Sequence, residues 1–218
     1  MNRRTMVIAT IVVAVAIFAT AAFIYKRNTE EQAAAAQRAE LLIRPHSPVF
    51  GPAGAPVTIV EFLDPSCGTC RAFHPIVKQI MREYPREVRV VARYVAYHQG
   101  SDQVNRILFA AKQQGLLEPV TEAIFVAQPE WSAHGGRPVN LNRAWQVAAS
   151  AGLDVTKARR DMITPEVTGA LNQDMADAQA VGANQTPTFF VNGRPLPSFG
   201  VEQLVTLVQE EVAKASGG

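Results

Sequence analysis

Glu61-Phe62-Leu63-Asp64-Pro65-Ser66-Cys67-Gly68-Thr69-Cys70-Arg71 holds both cysteines of the chain, with two residues between them, directly behind a β-branched run. That run, Val57-Thr58-Ile59-Val60-Glu61-Phe62, has the near-continuous apolar character of a buried strand in a parallel sheet. Asp64-Pro65-Ser66 supplies a turn, and a helix is predicted from about residue 67 to residue 84. A Cys-x-x-Cys at such a joint sets its first sulfur over the unpaired N–H groups of the helix start, where the macrodipole favours a thiolate. Such motifs lower the first thiol from about 8.5 into a range of roughly 3.5 to 7.5. Cys67 is therefore the candidate nucleophile, and Cys70, one turn further in, is the candidate resolving thiol that attacks a mixed disulfide on Cys67. Two soft thiols so spaced are also compatible with binding a metal.

The surroundings narrow the class. With 218 residues and 48% hydrophobic content, one ordinary domain plus an appendage fits. Twenty-one basic against nineteen acidic residues, a net charge of +2, argue against a nucleic-acid partner. Two cysteines cannot form a disulfide scaffold. Residues 6–25 are apolar except for Thr10 and Thr20, lie between Arg3-Arg4 and Lys26-Arg27, and have the length of a membrane-spanning helix. Ala19-Thr20-Ala21 satisfies the small-x-small rule of a cleaved signal peptide. Phe23-Ile24-Tyr25 continue the apolar run past that site, which favours an uncleaved anchor; both readings export the rest of the chain.

Residues 1–27 are thus expected to be a membrane anchor or signal segment, and 28–56 a linker, first helical and then interrupted by Pro45, Pro48, Pro52, Pro56, Gly51 and Gly54. The helical part shows no sustained heptad. The domain is expected over 57–214. A second buried strand over 88–96 makes a right-handed parallel crossover with the first. Helical patterns at 102–114, 119–128, 141–151, 155–162 and 165–180 read as an all-helical insertion over 101–181. Residues 188–191, the turn Asn192-Gly193 and residues 194–196 predict a type I′ hairpin, and 201–213 an amphipathic helix with Leu204, Val205, Leu207 and Val208 on its apolar side.

This order, β-α-β, helical insert, β-hairpin, α, is α/β and resembles the thioredoxin fold with its central mixed sheet, and the insert resembles that of DsbA-like thiol:disulfide oxidoreductases. Four features carry the resemblance: the Cys67–Cys70 pair; Glu61, six residues earlier, where the family has a buried acid; Pro75, eight residues later, where it kinks its active-site helix; and Thr186-Pro187 before the hairpin, matching the cis-proline loop that faces the cysteines. The resemblance implies a redox-active disulfide exchanged with protein thiol and disulfide substrates, no bound cofactor and no metal. It implies that Glu61 moves the proton of Cys70 and that Thr186 and Pro187 bind the substrate strand. It also implies a DsbB-like or DsbD-like membrane redox partner, and a location at the bacterial inner membrane, single-pass, with the domain in the periplasm, or exported and soluble if the leader is cleaved. Gly68-Thr69 are neither the Pro-His of DsbA nor the Gly-Pro of thioredoxin. These two residues tune the couple and leave the direction of electron flow open, with a less oxidising couple than DsbA expected.

Other readings stand beside these. Glu61 is either the buried acid or a strand carboxylate paired with a lysine or arginine. His74, four residues after Cys70, either tunes the redox pair or is a solvated helix histidine; as a metal ligand it would leave a zinc site one ligand short. Arg71 and Asp64 flank the pair and act in opposite directions on a thiolate. Two rivals from other classes are a copper-handling protein, with the thiols as ligands, and a chaperone module in which they are incidental.

Overall fold

The computed structural model describes residues 38–133 and 136–217, with Asn2 and a few positions between Phe18 and Thr29. The expected membrane span over 6–25 falls largely outside the described residues, among which no helix is long and apolar enough to cross a membrane. The chain divides into two units, Met1–Glu40 and Leu41–Gly218. The second unit holds the sheet and both cysteines.

Five strands form one sheet in the order β1-β3-β2-β4-β5. The central strand β2 (Val57–Leu63) is buried at every position, as its apolar run predicts. It pairs parallel with β3 (Val88–Tyr94) and antiparallel with β4 (Thr188–Val191), so the sheet is mixed. Asn192 and Gly193 take positive φ angles of 47° and 79° and return β4 into β5 (Arg194–Pro195), the I′ geometry expected of Asn-Gly.

Helix α1 (Gly68–Glu83) crosses from β2 to β3 and carries Pro75 inside it. Alternation along β2 turns Val57 and Ile59 toward α1 and the C-terminal helix α8 (Val201–Ser216), where they pack with Phe73, Val77, Ile80, Leu204 and Val208. Val60 and Phe62 face the other way, with Leu42, Val91, Phe190 and Ala178. Glu61 shares the parity of Val57 and Ile59, so β2 sends a carboxyl to the side of the sheet from which α1 begins.

The expected insertion is all helical: α2 (Ser101–Gln113), α3 (Leu117–Val126), α4 (Gln128–Trp131), α5 (Leu141–Ser150), α6 (Val155–Asp161) and α7 (Pro165–Ala180). Its apolar interior, which includes Leu108, Ile124, Trp131 and Ala148, is continuous with Leu63, Cys67, Cys70 and Tyr94. The cysteine pair therefore sits where the insert meets the sheet.

One boundary differs from the sequence reading. Residues 41–56, expected as linker, belong to the folded unit: Leu42 is buried, and β1 (Val49–Phe50) adds antiparallel to β3. Buried charge holds them. Arg93, fully buried on β3, donates to Asp174 at 2.8 Å and Asp177 at 2.6 Å on α7 and to the carbonyls of Leu41 and Leu42. Arg44 pairs with Asp177 at 2.8 Å, and the His46 ring lies 2.7 Å from Asp174. Burial alone would raise Asp177, but hydrogen bonds from Arg44, Arg93 and Gln173 hold it at about 2. Because these partners lie over 80 residues from β3 and further still from residue 44, local pattern gives no sign that proline-rich chain is pinned there.

Candidate active site

Cys67 is the residue at the N-cap of α1, with extended backbone and no side-chain cap bond, and the first turn carries no acidic residue. Nothing anionic in that turn competes with a thiolate for its N–H groups. Both thiols are free and buried, Cys67 at 6% exposure and Cys70 at 0%. As a thiol, Cys67 donates from Sγ to the carbonyl of Thr186 at 3.2 Å. The Thr186-Pro187 bond is cis, and it brings this loop against the sulfur from the far end of the sequence.

The two thiols are pushed apart in acidity. Cys67 falls to about 5, chiefly because the Cys70 thiol donates to its thiolate, with further support from the Thr186 side chain and the N–H groups of Cys70 and Thr69, against a burial that raises it. The buried Thr186 hydroxyl has no other partner among the described residues, so it is free to turn its hydrogen to the sulfur once the proton leaves. Cys70 is driven far upward, first by burial, then by its own hydrogen bond to Cys67 and by the charge of Glu61. The N–H of Asp64 approaches its sulfur at 3.5 Å. One cysteine is ionised and the other protonated at neutral pH, which is the division of labour that a nucleophile and a resolving thiol require.

Glu61 is 5% exposed, and its carboxyl has no hydrogen-bond partner among the described residues. The lysine or arginine partner entertained from sequence is not what the strand provides. Burial, reinforced by the charge of Cys67, raises the carboxyl to about 8. It lines a cavity of about 420 Å³ between α1, α3 and the sheet. Thr121 and Tyr94 also line this cavity, while His74, Lys78 and Glu122 line it from partly exposed positions.

His74 is turned to the insert. Its Nε2 lies 3.1 Å from Glu122 of α3, its ring lies against Phe125 at 4.7 Å, and burial lowers its pKa despite Glu122. Asp64 is fully buried and committed to the crossover: it accepts from the N–H groups of Ser66, Tyr97 and His98, from the His98 ring and from the Ser101 hydroxyl. Arg71 is exposed. Gly68 and Thr69, between the sulfurs, are exposed too, and a side chain at Gly68 would meet nothing within 4 Å.

Sequence reasoning missed Thr121, Tyr94 and Gln128. The Gln128 amide donates to the carbonyls of Pro65 at 2.7 Å and Cys67 at 2.9 Å. A residue 61 positions downstream reaches the pair only by tertiary folding, and no motif marks it.

A family model described as Thioredoxin matches residues 44–210. A thioredoxin-like oxidoreductase from Silicibacter pomeroyi superposes with a TM-score of 0.68 at 34% identity, over 82% of this chain and 96% of that one. BdbD from Bacillus subtilis, in its oxidised form, superposes at 0.67 with 21% identity, over 77% of this chain and 94% of that one. Among curated relatives, an Na(+)/H(+) antiporter NhaA of Herminiimonas arsenicoxydans is 30% identical over 162 residues, 74% of this chain. The chain spans about a quarter of the length of the curated relatives it matches.

Proposed function

Since the chain belongs to the thioredoxin family, with DsbA-like thiol:disulfide oxidoreductases as its structural neighbours, we propose that it is a membrane-tethered, exported oxidoreductase exchanging disulfides with protein substrates through Cys67 and Cys70. The observation that carries this reading is the placement of the pair, with Cys67 at the N-cap of α1, its sulfur 3.2 Å from the carbonyl of Thr186 before a cis-proline, and Cys70 fully buried one turn further in.

In the oxidising direction a substrate thiolate attacks Cys67 Sγ, the Cys67–Cys70 bond breaks, and Cys70 leaves with the electron pair. A sulfur so buried takes a proton at once, and Glu61, still protonated at neutral pH, gives it. A second substrate thiolate then attacks the substrate sulfur of the mixed disulfide, releasing Cys67 as a stabilised thiolate. Two electrons have passed from the substrate dithiol to the pair. In reverse, the Cys67 thiolate attacks a substrate disulfide, Glu61 accepts the Cys70 proton, and Cys70 resolves the adduct. Thr186, beside Cys67, receives the substrate strand. The cavity gives Glu61 a path for its proton that a substrate lying over Cys67 does not cover.

Residues 6–25 serve as the anchor and place the domain in the periplasm, where a DsbB-like or DsbD-like membrane protein renews the pair. A couple near roughly −120 mV would mark an oxidase and one near roughly −270 mV a reductase. Equilibrating the Cys67–Cys70 pair against a glutathione series measures this, alongside oxidation of a reduced substrate and reduction of insulin by wild type, Cys67→Ala and Cys70→Ala. A wild-type domain that changed neither substrate, while binding one copper ion per chain tightly, would overturn the reading.

A further inference from the structure

Gln128 opens the four-residue helix α4 and is 3% exposed. Its single NH2 group has two hydrogens and two acceptors: the carbonyl of Pro65 at 2.7 Å and that of Cys67 at 2.9 Å. Turned over, the amide would set its oxygen against two carbonyl oxygens, so the network admits one orientation. The two acceptors bracket Ser66 and the nucleophile. On its other side this segment is tied to the sheet, since the N–H of Cys67 donates to the Asp64 carbonyl at 3.0 Å and that of Ser66 to the Asp64 carboxylate at 2.8 Å. The loop before the sulfur is therefore clamped from the core by Asp64 and from the insert by Gln128.

Resting on the proposed exchange reaction, we propose that Gln128 is a positioning residue for Cys67: by holding the Pro65 and Cys67 carbonyls, the insert fixes how the sulfur sits over the first turn of α1 and so how readily it reacts. The Cys67 carbonyl is also the first acceptor of the helix, taking the N–H of Arg71 at 3.1 Å. Its peptide plane holds the Gly68 N–H and so sets how the first turn begins, the turn whose Thr69 and Cys70 N–H groups support the thiolate. Gln128 further neutralises two carbonyl dipoles next to a sulfur that must carry negative charge. The helical insert is then part of the chemistry of the pair, beyond covering it.

The test reads Cys67 without any protein substrate, so it is separable from the exchange reading. Reduced wild type, Gln128→Met and Gln128→Glu are alkylated with iodoacetamide across pH 3–9, and the single adduct on Cys67 is followed by mass spectrometry. Gln128→Met keeps length and packing but has no donor. Its alkylation midpoint is expected to rise by about one unit, a roughly tenfold loss of thiolate below the midpoint, and the glutathione equilibrium is expected to move toward the disulfide. Gln128→Glu, whose buried carboxyl stays protonated against two carbonyls and donates one hydrogen bond in place of two, is expected to shift less in the same sense. A folded Gln128→Met with an unchanged midpoint and equilibrium overturns the proposal, even if its melting temperature has dropped. If neither variant folds, the side-chain NH2 resonances of Gln128 in the reduced wild type decide: they are expected to move with the Cys67 titration, and resonances flat through that midpoint overturn the proposal.

Discussion

Glu61 and Cys67 bind protons in opposite senses on folding. Glu61 rises from 4.5 to about 8, so between those values the folded chain keeps a proton that the unfolded chain has lost, and stability falls as pH rises. Cys67 falls from 9.0 to about 5, so over that interval the folded chain has lost a proton that the unfolded chain keeps, and stability rises with pH. Each slope is at most about 1.4 kcal/mol per pH unit, and in the reduced protein they largely offset between about pH 5 and 8. Oxidation removes the Cys67 titration while burial, the larger cause, still holds Glu61 up. Urea melts of the oxidised protein are therefore expected to show stability declining across this interval, those of the reduced protein to stay nearly level, and oxidised Glu61→Gln to lose the decline. The same substitution is expected to slow exchange and to remove the inflexion near pH 8 from its rate profile; a profile unchanged by Glu61→Gln would take the carboxyl out of the mechanism. Gly68, at the first helical position with open space around it, is not required for shape. Gly68→Ala is expected to stabilise the fold by about 0.4–1 kcal/mol, read as a higher melting temperature. Glu61 could be singled out in the sequence by its place six residues before Cys67 in a buried strand, whereas Gln128 and Thr121 have no periodic or motif signature.

At the scale of elements, the most legible parts were those whose signals are local. Asn192-Gly193 predicts its own turn, and the turn does more than reverse the chain. The Asn192 side chain accepts from the N–H of Thr58 at 2.8 Å and donates to Glu211 at 3.2 Å, tying the hairpin to β2 and α8. Asn192→Ala loses these bonds and places a side chain without αL preference at a φ of 47°. It is expected to cost about 2 kcal/mol in denaturant melts. Strand β1 escaped the sequence reading because two residues between prolines show no alternation; its backbone pairing with β3 makes it a strand. Five helices of the insert were legible as segments, but α4 was not, nor was their arrangement, since which face meets the cysteine pair depends on Leu63, Tyr94 and Trp131 packing across the molecule.

At the scale of the whole molecule, Arg93 joins β3, α7 and residues 41–44 through Asp174 and Asp177. Removing the cation leaves two buried carboxylates short of a partner, and Arg93→Met is expected to lose about 3–5 kcal/mol of stability in a urea melt. Much of that loss is expected to be recovered in a triple variant that also carries Asp174→Asn and Asp177→Asn. The β2–β4 pairing has a different consequence. Glu61 and Phe189 are partners across the centre of the sheet, yet the whole insert lies between them in the chain. Such distant pairing forms late, since loop closure precedes any gain from it. A nascent chain that has emerged only as far as α7 therefore lacks both the inner neighbour of its central strand and the Thr186 loop at its sulfur. In an unfolded segment Cys67 ionises near the ordinary value of about 8.5 and is mostly protonated at neutral pH. The unfinished polypeptide thus lacks the Thr186 part of the support for its thiolate, which arrives only with the loop before the final hairpin.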